Sequence, residues 1–240
     1  MDALARAGVR VLVRGADRLH VVADVDDAWA WDLWDERLAD GVRHAEHGLP
    51  DGGRAFVKLY PRRPAHGVLR RLRGGRAERE GRGCLAFARA GLPVVSPILW
   101  GERRVRHLLE AGLVATRRVQ RPTLADAFLE SFDAGLLAGG VVLLARVHAA
   151  GLVHGDARLR NLLATEPEPT CCDLAQWRTA GPRAVARDLR AYLASASVLA
   201  GRDAPLDAWL DRYEARRALP GTRARLRRAI ATAAARMRRA

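Results

Sequence analysis

Three polar side chains are set apart by type and spacing. Asp156 follows His154 in Leu152-Val153-His154-Gly155-Asp156, Asn161 comes five positions later, and Asp173 closes the short apolar segment Thr170-Cys171-Cys172. One carboxylate to accept a hydroxyl proton, with an amide and a second carboxylate to hold magnesium on a nucleotide, is the set that phosphoryl transfer requires. Composition adds a fourth residue. Of the 41 basic residues 40 are arginine, so Lys58 is the only lysine, and Asn161 is the only asparagine. The heavy alanine, arginine, glycine and leucine usage indicates a GC-rich genome that replaces Lys and Asn freely. A single survivor of each therefore marks a position with a special demand. A lysine ammonium is a compact charge suited to a phosphate, a task the planar guanidinium performs with different geometry. A lone lysine on an apolar strand also serves as a snorkelling edge residue.

The elements that must position these groups are legible around them. Lys58 lies in Ala55-Phe56-Val57-Lys58-Leu59-Tyr60, bounded by Gly52-Gly53 and Pro61, which predicts a strand. An apolar strand enters the Asp156 loop and the pair Leu162-Leu163 leaves it. Ala77, Leu85, Phe87 and Ala88 predict a helix from Gly75 to Arg89, stopped by Gly91-Leu92-Pro93. A second apolar helix runs from Leu136 to Val147, with His148 as a capping or core residue. A third covers Thr222 to Arg239, with Leu226, Ile230, Ala233 and Met237 at helical spacing.

The 240 residues fit one two-lobed enzyme or one domain with extensions, and a 49% hydrophobic content excludes wholesale disorder. The longest uncharged run, Ala134 to Ala145, falls short of the roughly 18–20 apolar residues of a membrane span. The N-terminus has no signal-peptide core. Cys84, Cys171 and Cys172 lack metal-ligand spacing and read as reduced, packed thiols of a cytoplasmic protein. A formal charge of +14 favours anionic partners and disfavours cationic substrates. Arg62, Arg63, Arg70, Arg71, Arg73, Arg76, Arg79 and Arg82 concentrate that charge ahead of and within the first helix. Nucleic acid is not the expected partner: the arginines are not interleaved with aromatics, and Trp29, Trp31 and Trp34 stand among Asp24, Asp26, Asp27, Asp32 and Asp35. Those tryptophans read as packing residues.

Taken in order, Lys58, His154-x-Asp156-x-x-x-x-Asn161 and Asp173 resemble the protein-kinase-like superfamily over about Phe56 to Leu193. The resemblance implies an α+β fold of two lobes: residues 1–115 as an antiparallel β lobe with one helix carrying Lys58 and Glu80, and residues 116–240 as a helical lobe with the catalytic loop. It implies ATP and Mg2+ as cofactors, with ATP in the cleft between the lobes. Lys58 would grip the α/β-phosphates, Glu80 would pair with Lys58, Asp156 would deprotonate the acceptor hydroxyl, and Asn161 and Asp173 would coordinate the metal. Glu78 is the alternative partner of Lys58. Arg158 stands where many kinases place a cation near the γ-phosphate, while Arg160 reads as surface. Asp188 would brace the catalytic loop. Gly155 replaces the arginine that reads activation-loop phosphorylation in regulated kinases.

The stretches Gly74–Glu80, Ala90–Gly101, Asp173–Gln176 and Ala186–Leu189 are similar to bacterial lipopolysaccharide core kinases, the Kdo and heptose kinases of the WaaP/InaA type. That resemblance implies transfer to a sugar hydroxyl of the inner core, an anionic glycolipid acceptor, and possible peripheral contact with the inner membrane. Other readings are an aminoglycoside- or choline-type phosphotransferase, a serine/threonine protein kinase, and a non-enzymatic pseudokinase. No Gly-x-Gly-x-x-Gly precedes Lys58, so the phosphate-covering loop is unplaced.

Overall fold

A computed structural model describes residues 8–22, 25–62, 75–201 and 204–239. Asp24, Arg63, Arg70, Arg71, Arg73 and Gly74 lie outside them. The chain resolves into two compact units: one gathers residues up to Leu85 with Val95–Val119, the other Ala86–Val94 with Gln120–Ala240. The strand that ends at Arg117 belongs whole to the first unit's sheet, and the chain passes into the second unit for good after Val119.

The first unit is a six-stranded antiparallel sheet with helices. In chain order its elements are β1 (Val9–Arg14), β2 (Asp17–Val22), α1 (Asp27–Asp40), β3 (His44–Gly48), β4 (Arg54–Pro61), α2 (Arg76–Arg89, whose last turn from Ala86 falls to the second unit), β5 (Pro97–Val105) and β6 (Leu108–Arg117). The spatial order is β1-β2-β5-β6-β4-β3, so the lysine strand β4 is paired on both sides. The described residues of this unit carry two helices rather than the one expected. Asp26 caps α1 by accepting from Trp29 N at 2.6 Å, Ala30, Leu33, Trp34 and Arg37 form its buried stripe, and Gly41 ends it with φ +66°. Aspartates at nearly every exposed turn had masked that period. Trp34 is fully buried, and Trp29 and Trp31 pack at the edge of the same cluster with Leu19, Val57 and Leu113, a packing role for all three.

Helix α2 lies on Trp100 of β5. A Cβ at Gly81 would stand 2.3 Å from the indole, so glycine is what permits this approach. Its N-terminus is held by Glu102, whose Oε1 accepts from Gly75 N at 2.5 Å. Burial pushes the Glu102 carboxyl up, against Arg104, which pulls it down.

The second unit is mainly helical. It contains α3 (Leu124–Ser131), α4 (Ala134–Ala149), β7 (Leu152–Val153), a 3-10 turn (Leu159–Asn161), β8 (Leu162–Leu163), β9 (Thr170–Cys171), β10 (Arg178–Thr179), α5 (Pro182–Ala200), α6 (Leu206–Glu214) and α7 (Arg223–Met237). Apolar on nearly every side, α4 buries Leu137, Val141, Leu143, Leu144 and Val147 and packs against α3, α5 and α6. Two-stranded ladders, β7 with β10 and β8 with β9, frame the polar loop between them. Helix α7 packs on α5 through Leu226, Ile230 and Ala234. Ala234 takes the buried place the sequence reading gave to Ala233, which is half-buried like Met237.

Candidate active site

In the first unit, Lys58 sits mid-strand opposite His44 of β3 and Val114 of β6. Its Nζ lies 2.7 Å from Glu80 Oε1. Glu80 is 1% exposed, and its second oxygen accepts from Tyr60 Oη at 2.5 Å. A carboxylate this deeply buried requires partners on both oxygens, and Lys58 and Tyr60 supply them. The tyrosine was missed in the sequence, although strand alternation puts residues 58 and 60 on one face. Glu78 takes the other side of α2: it accepts from Arg82 Nε at 2.6 Å and Trp100 Nε1 at 3.1 Å, and His20 Nε2 is 3.5 Å away. The register also places the Gly41–Arg43 connection where β3 enters the sheet beside Lys58, with Arg43 O accepting from Leu59 N at 2.8 Å. Of the basic cluster, Arg76 lies over the Tyr60 ring, 5.2 Å from its centre.

In the second unit the loop after β7 gathers the other groups. Gly155 has φ +86°, and a Cβ there would meet Gln176 O at 2.0 Å, so no arginine fits. The next backbone is fixed by Asp188 of α5, 2% exposed. Its Oδ2 accepts from His154 N at 2.7 Å and its Oδ1 from Gly155 N at 2.9 Å. Burial would raise the Asp188 carboxyl, but the hydrogen bonds from His148 and from the His154 amide hold it below its ordinary value. His154 Nε2 lies 2.9 Å from Cys172 O, tying the loop to β9.

In the 3-10 turn Leu159 and Asn161 are buried and Arg160 is exposed, while Arg158, just before it, is half-buried. Asn161 Nδ2 donates to Asp156 O at 2.8 Å and to its Oδ2 at 3.2 Å. Arg158 Nε is 3.0 Å from Asp156 Oδ1, and Arg160 Nη2 is 3.9 Å from Oδ2. Both guanidinium groups therefore come near the carboxylate, and Arg160 is exposed, in keeping with its reading as a surface residue. Asn161 and Asp173 are joined through the intervening residue, since Cys172 N donates to Asn161 O at 3.0 Å. Asp173 itself has φ +56°, a left-handed conformation uncommon for a residue with a Cβ and concentrated at functional sites.

Magnesium fits the donors present. With the Asn161 amide nitrogen committed to Asp156, its oxygen is the atom left to face a cation, and Asp173 adds a carboxylate. Hard oxygen donors suit Mg2+, which takes one or two protein ligands and completes its shell with phosphate and water. Among the described residues no cluster of three His, Cys, Asp or Glu side chains forms a self-sufficient metal cage. Bound there, the cation would neutralise phosphate charge. The candidate groups thus divide between the units: Lys58, Glu80 and Tyr60 lie in the first, and Asp156, Arg158, Arg160, Asn161 and Asp173 in the second.

No family model and no curated protein matches the chain. Solved structures do. An aminoglycoside-3'-phosphotransferase of type VIII is 13% identical with a TM-score of 0.54, covering 93% of this chain and 92% of that one. WaaP in complex with acyl carrier protein is 18% identical with a TM-score of 0.50, covering 99% and 89%. The Rio2 kinase of Chaetomium thermophilum, in an ADP/Mg2+-phosphoaspartate complex, is 16% identical with a TM-score of 0.41, covering 98% and 73%. The fold is α+β and protein-kinase-like.

Proposed function

We propose that the chain is an ATP- and Mg2+-dependent phosphotransferase that moves the γ-phosphate onto a sugar hydroxyl of an anionic glycolipid, the lipopolysaccharide inner core (Kdo or heptose). In this reading Lys58, held by Glu80 and Tyr60, grips the nucleotide's phosphates. Asn161 and Asp173 hold the metal. Asp156 orients the acceptor hydroxyl and takes its proton, and Arg158 offsets charge developing on the transferred group.

The observation that carries the choice of acceptor is the pair of guanidinium groups at 3.0 and 3.9 Å from the Asp156 carboxylate. Two cations around one carboxylate leave the hydroxyl's place locally positive, which repels a cationic aminoglycoside or choline and attracts a phosphate- or carboxylate-bearing sugar. A charge about 7 Å away at the effective dielectric of a protein surface is worth roughly 0.6–2.4 kcal/mol. Arg160→Glu is accordingly expected to lower kcat/KM for an anionic acceptor by about tenfold and leave the KM for Mg-ATP unchanged. An equal loss with a neutral acceptor would remove this account of the charge.

The decisive experiment offers labelled ATP with lipopolysaccharide core acceptor, an aminoglycoside and a protein substrate side by side. Label in the glycolipid supports the reading. Label only in the aminoglycoside or the protein transfers the activity to that class. No Mg-ATP binding at all leaves the non-enzymatic alternative.

Contact with a membrane, on this reading, is peripheral and electrostatic on the cytoplasmic face. No helix among the described residues is long and apolar enough to cross a membrane. The apolar stripe of α7 is spent on α5, while Arg225, Arg228 and Arg236 lie exposed on its far side. Binding to vesicles containing anionic lipid should fall steeply as salt rises from about 0.05 to 0.5 M. Salt-independent binding in a flotation assay would contradict this.

A further inference from the structure

Behind the Asp156 loop runs a chain of buried polar groups that none of the proposed roles uses. His148, at the end of α4, is 0% exposed. Its Nδ1 lies 2.7 Å from the Tyr213 hydroxyl of α6, and its Nε2 lies 3.3 Å from Asp188 Oδ2. That same Asp188 oxygen accepts from His154 N. Arg217, just past α6, donates to His148 O. Two residues from one segment thus converge on His148, and through it on the aspartate that fixes the catalytic loop.

The hydrogen-bond roles can be assigned. An ionised carboxylate only accepts, so the imidazole nitrogen facing Asp188 must carry a proton. Burial pushes the Tyr213 phenol up to about 12, so it keeps its proton and has one to donate. Directed at Nδ1, that proton restricts the imidazole to the Nε2–H form. We propose that Tyr213 is a positioning residue, locking His148 in the tautomer that donates to Asp188 and thereby holding the backbone at His154 and Gly155 in the geometry that aims Asp156.

Without the phenol the imidazole can place its proton on either nitrogen. In the Nδ1–H form a lone pair would face the carboxylate, and Asp188 would lose a donor. The amides of His154 and Gly155 would then be held by an aspartate that is itself less fixed. The segment containing Tyr213 and Arg217 is therefore mechanically part of the catalytic loop, though neither residue belongs to it in sequence.

The catalytic half of this inference rests on the proposed phosphotransfer; the tautomer half does not. The test pairs nitrogen NMR of His148 in the full chain with steady-state kinetics. The wild type should show an unprotonated Nδ1 and a protonated Nε2. In Tyr213→Phe, which keeps the ring, the two tautomers should interconvert, with kcat falling about tenfold at an unchanged Kd for Mg-ATP. A purely structural tyrosine would lower thermal stability without moving the tautomer or separating kcat from Kd. A wild-type His148 protonated on both nitrogens, or on Nδ1 alone, overturns the proposal. So does a Tyr213→Phe protein that retains the single tautomer or full kcat. If the wild type transfers no phosphate, the proposed activity falls and the NMR result by itself decides the lock.

Discussion

Asp156→Asn is expected to lower turnover by about 10²- to 10⁴-fold while leaving Mg-ATP affinity and thermal unfolding within error of the wild type. Asp156 is partly exposed, and its contacts to Asn161 and Arg158 lie on its carboxylate. An amide of the same shape can still accept from Asn161 through its oxygen, so the loop keeps its form. What it loses is the capacity to take a proton and the negative charge between Arg158 and Arg160. A single-turnover measurement with saturating Mg-ATP separates this from a binding defect. Turnover within a few-fold of wild type would remove Asp156 from the role of base.

Asp188→Asn should produce the largest loss of stability, about 2–4 kcal/mol, seen as a lower urea midpoint at constant slope. The aspartate accepts from two backbone amides and a buried imidazole. An asparagine oxygen can satisfy one side, but its NH2 then confronts another donor. Acid should imitate the substitution. Because the folded-state carboxyl is held below its ordinary value, its stabilising contribution is fully present above the unfolded value near 3.8 and is lost as pH falls through the lower folded one. A variant within about 0.5 kcal/mol of wild type would mean that the loop is held by other contacts.

The parts of this arrangement that the sequence disclosed are those in which residue type and spacing carry the chemistry locally. Lys58 on a strand between turn signals, Glu80 within a helix that stops at Gly91, and the Asp156-to-Asn161 interval all depend on a few neighbouring residues. Helix α1 was present in the sequence as well: Asp26, the stripe Ala30, Leu33, Trp34 and Arg37, and Gly41 form a complete start, face and stop. The tryptophan cluster drew attention instead. Tyr60 was recoverable from strand alternation alone. Tyr213 was not, because its meeting with His148 crosses 65 positions and exists only once α4 and α6 pack. Arg160 is exposed, as the sequence reading had it, and its guanidinium comes near Asp156 only at 3.9 Å. In a chain with 40 arginines another one carries no signal until its side chain is placed beside a carboxylate.

The solitary lysine also determines how this chain can be cut. A protease specific for lysine finds one bond, Lys58–Leu59, in the middle of β4, with β3 on one side and β6 on the other. A strand bonded along both edges cannot enter a protease cleft, which takes its substrate as an extended, unpaired segment. Scission therefore waits on the opening of that sheet and yields two fragments of 58 and 182 residues. The rate at which they form is a clock for the first unit alone, indifferent to fraying of α7 or breathing of the loops. Nucleotide, if it is gripped by the same ammonium, would slow that clock in proportion to how tightly it binds.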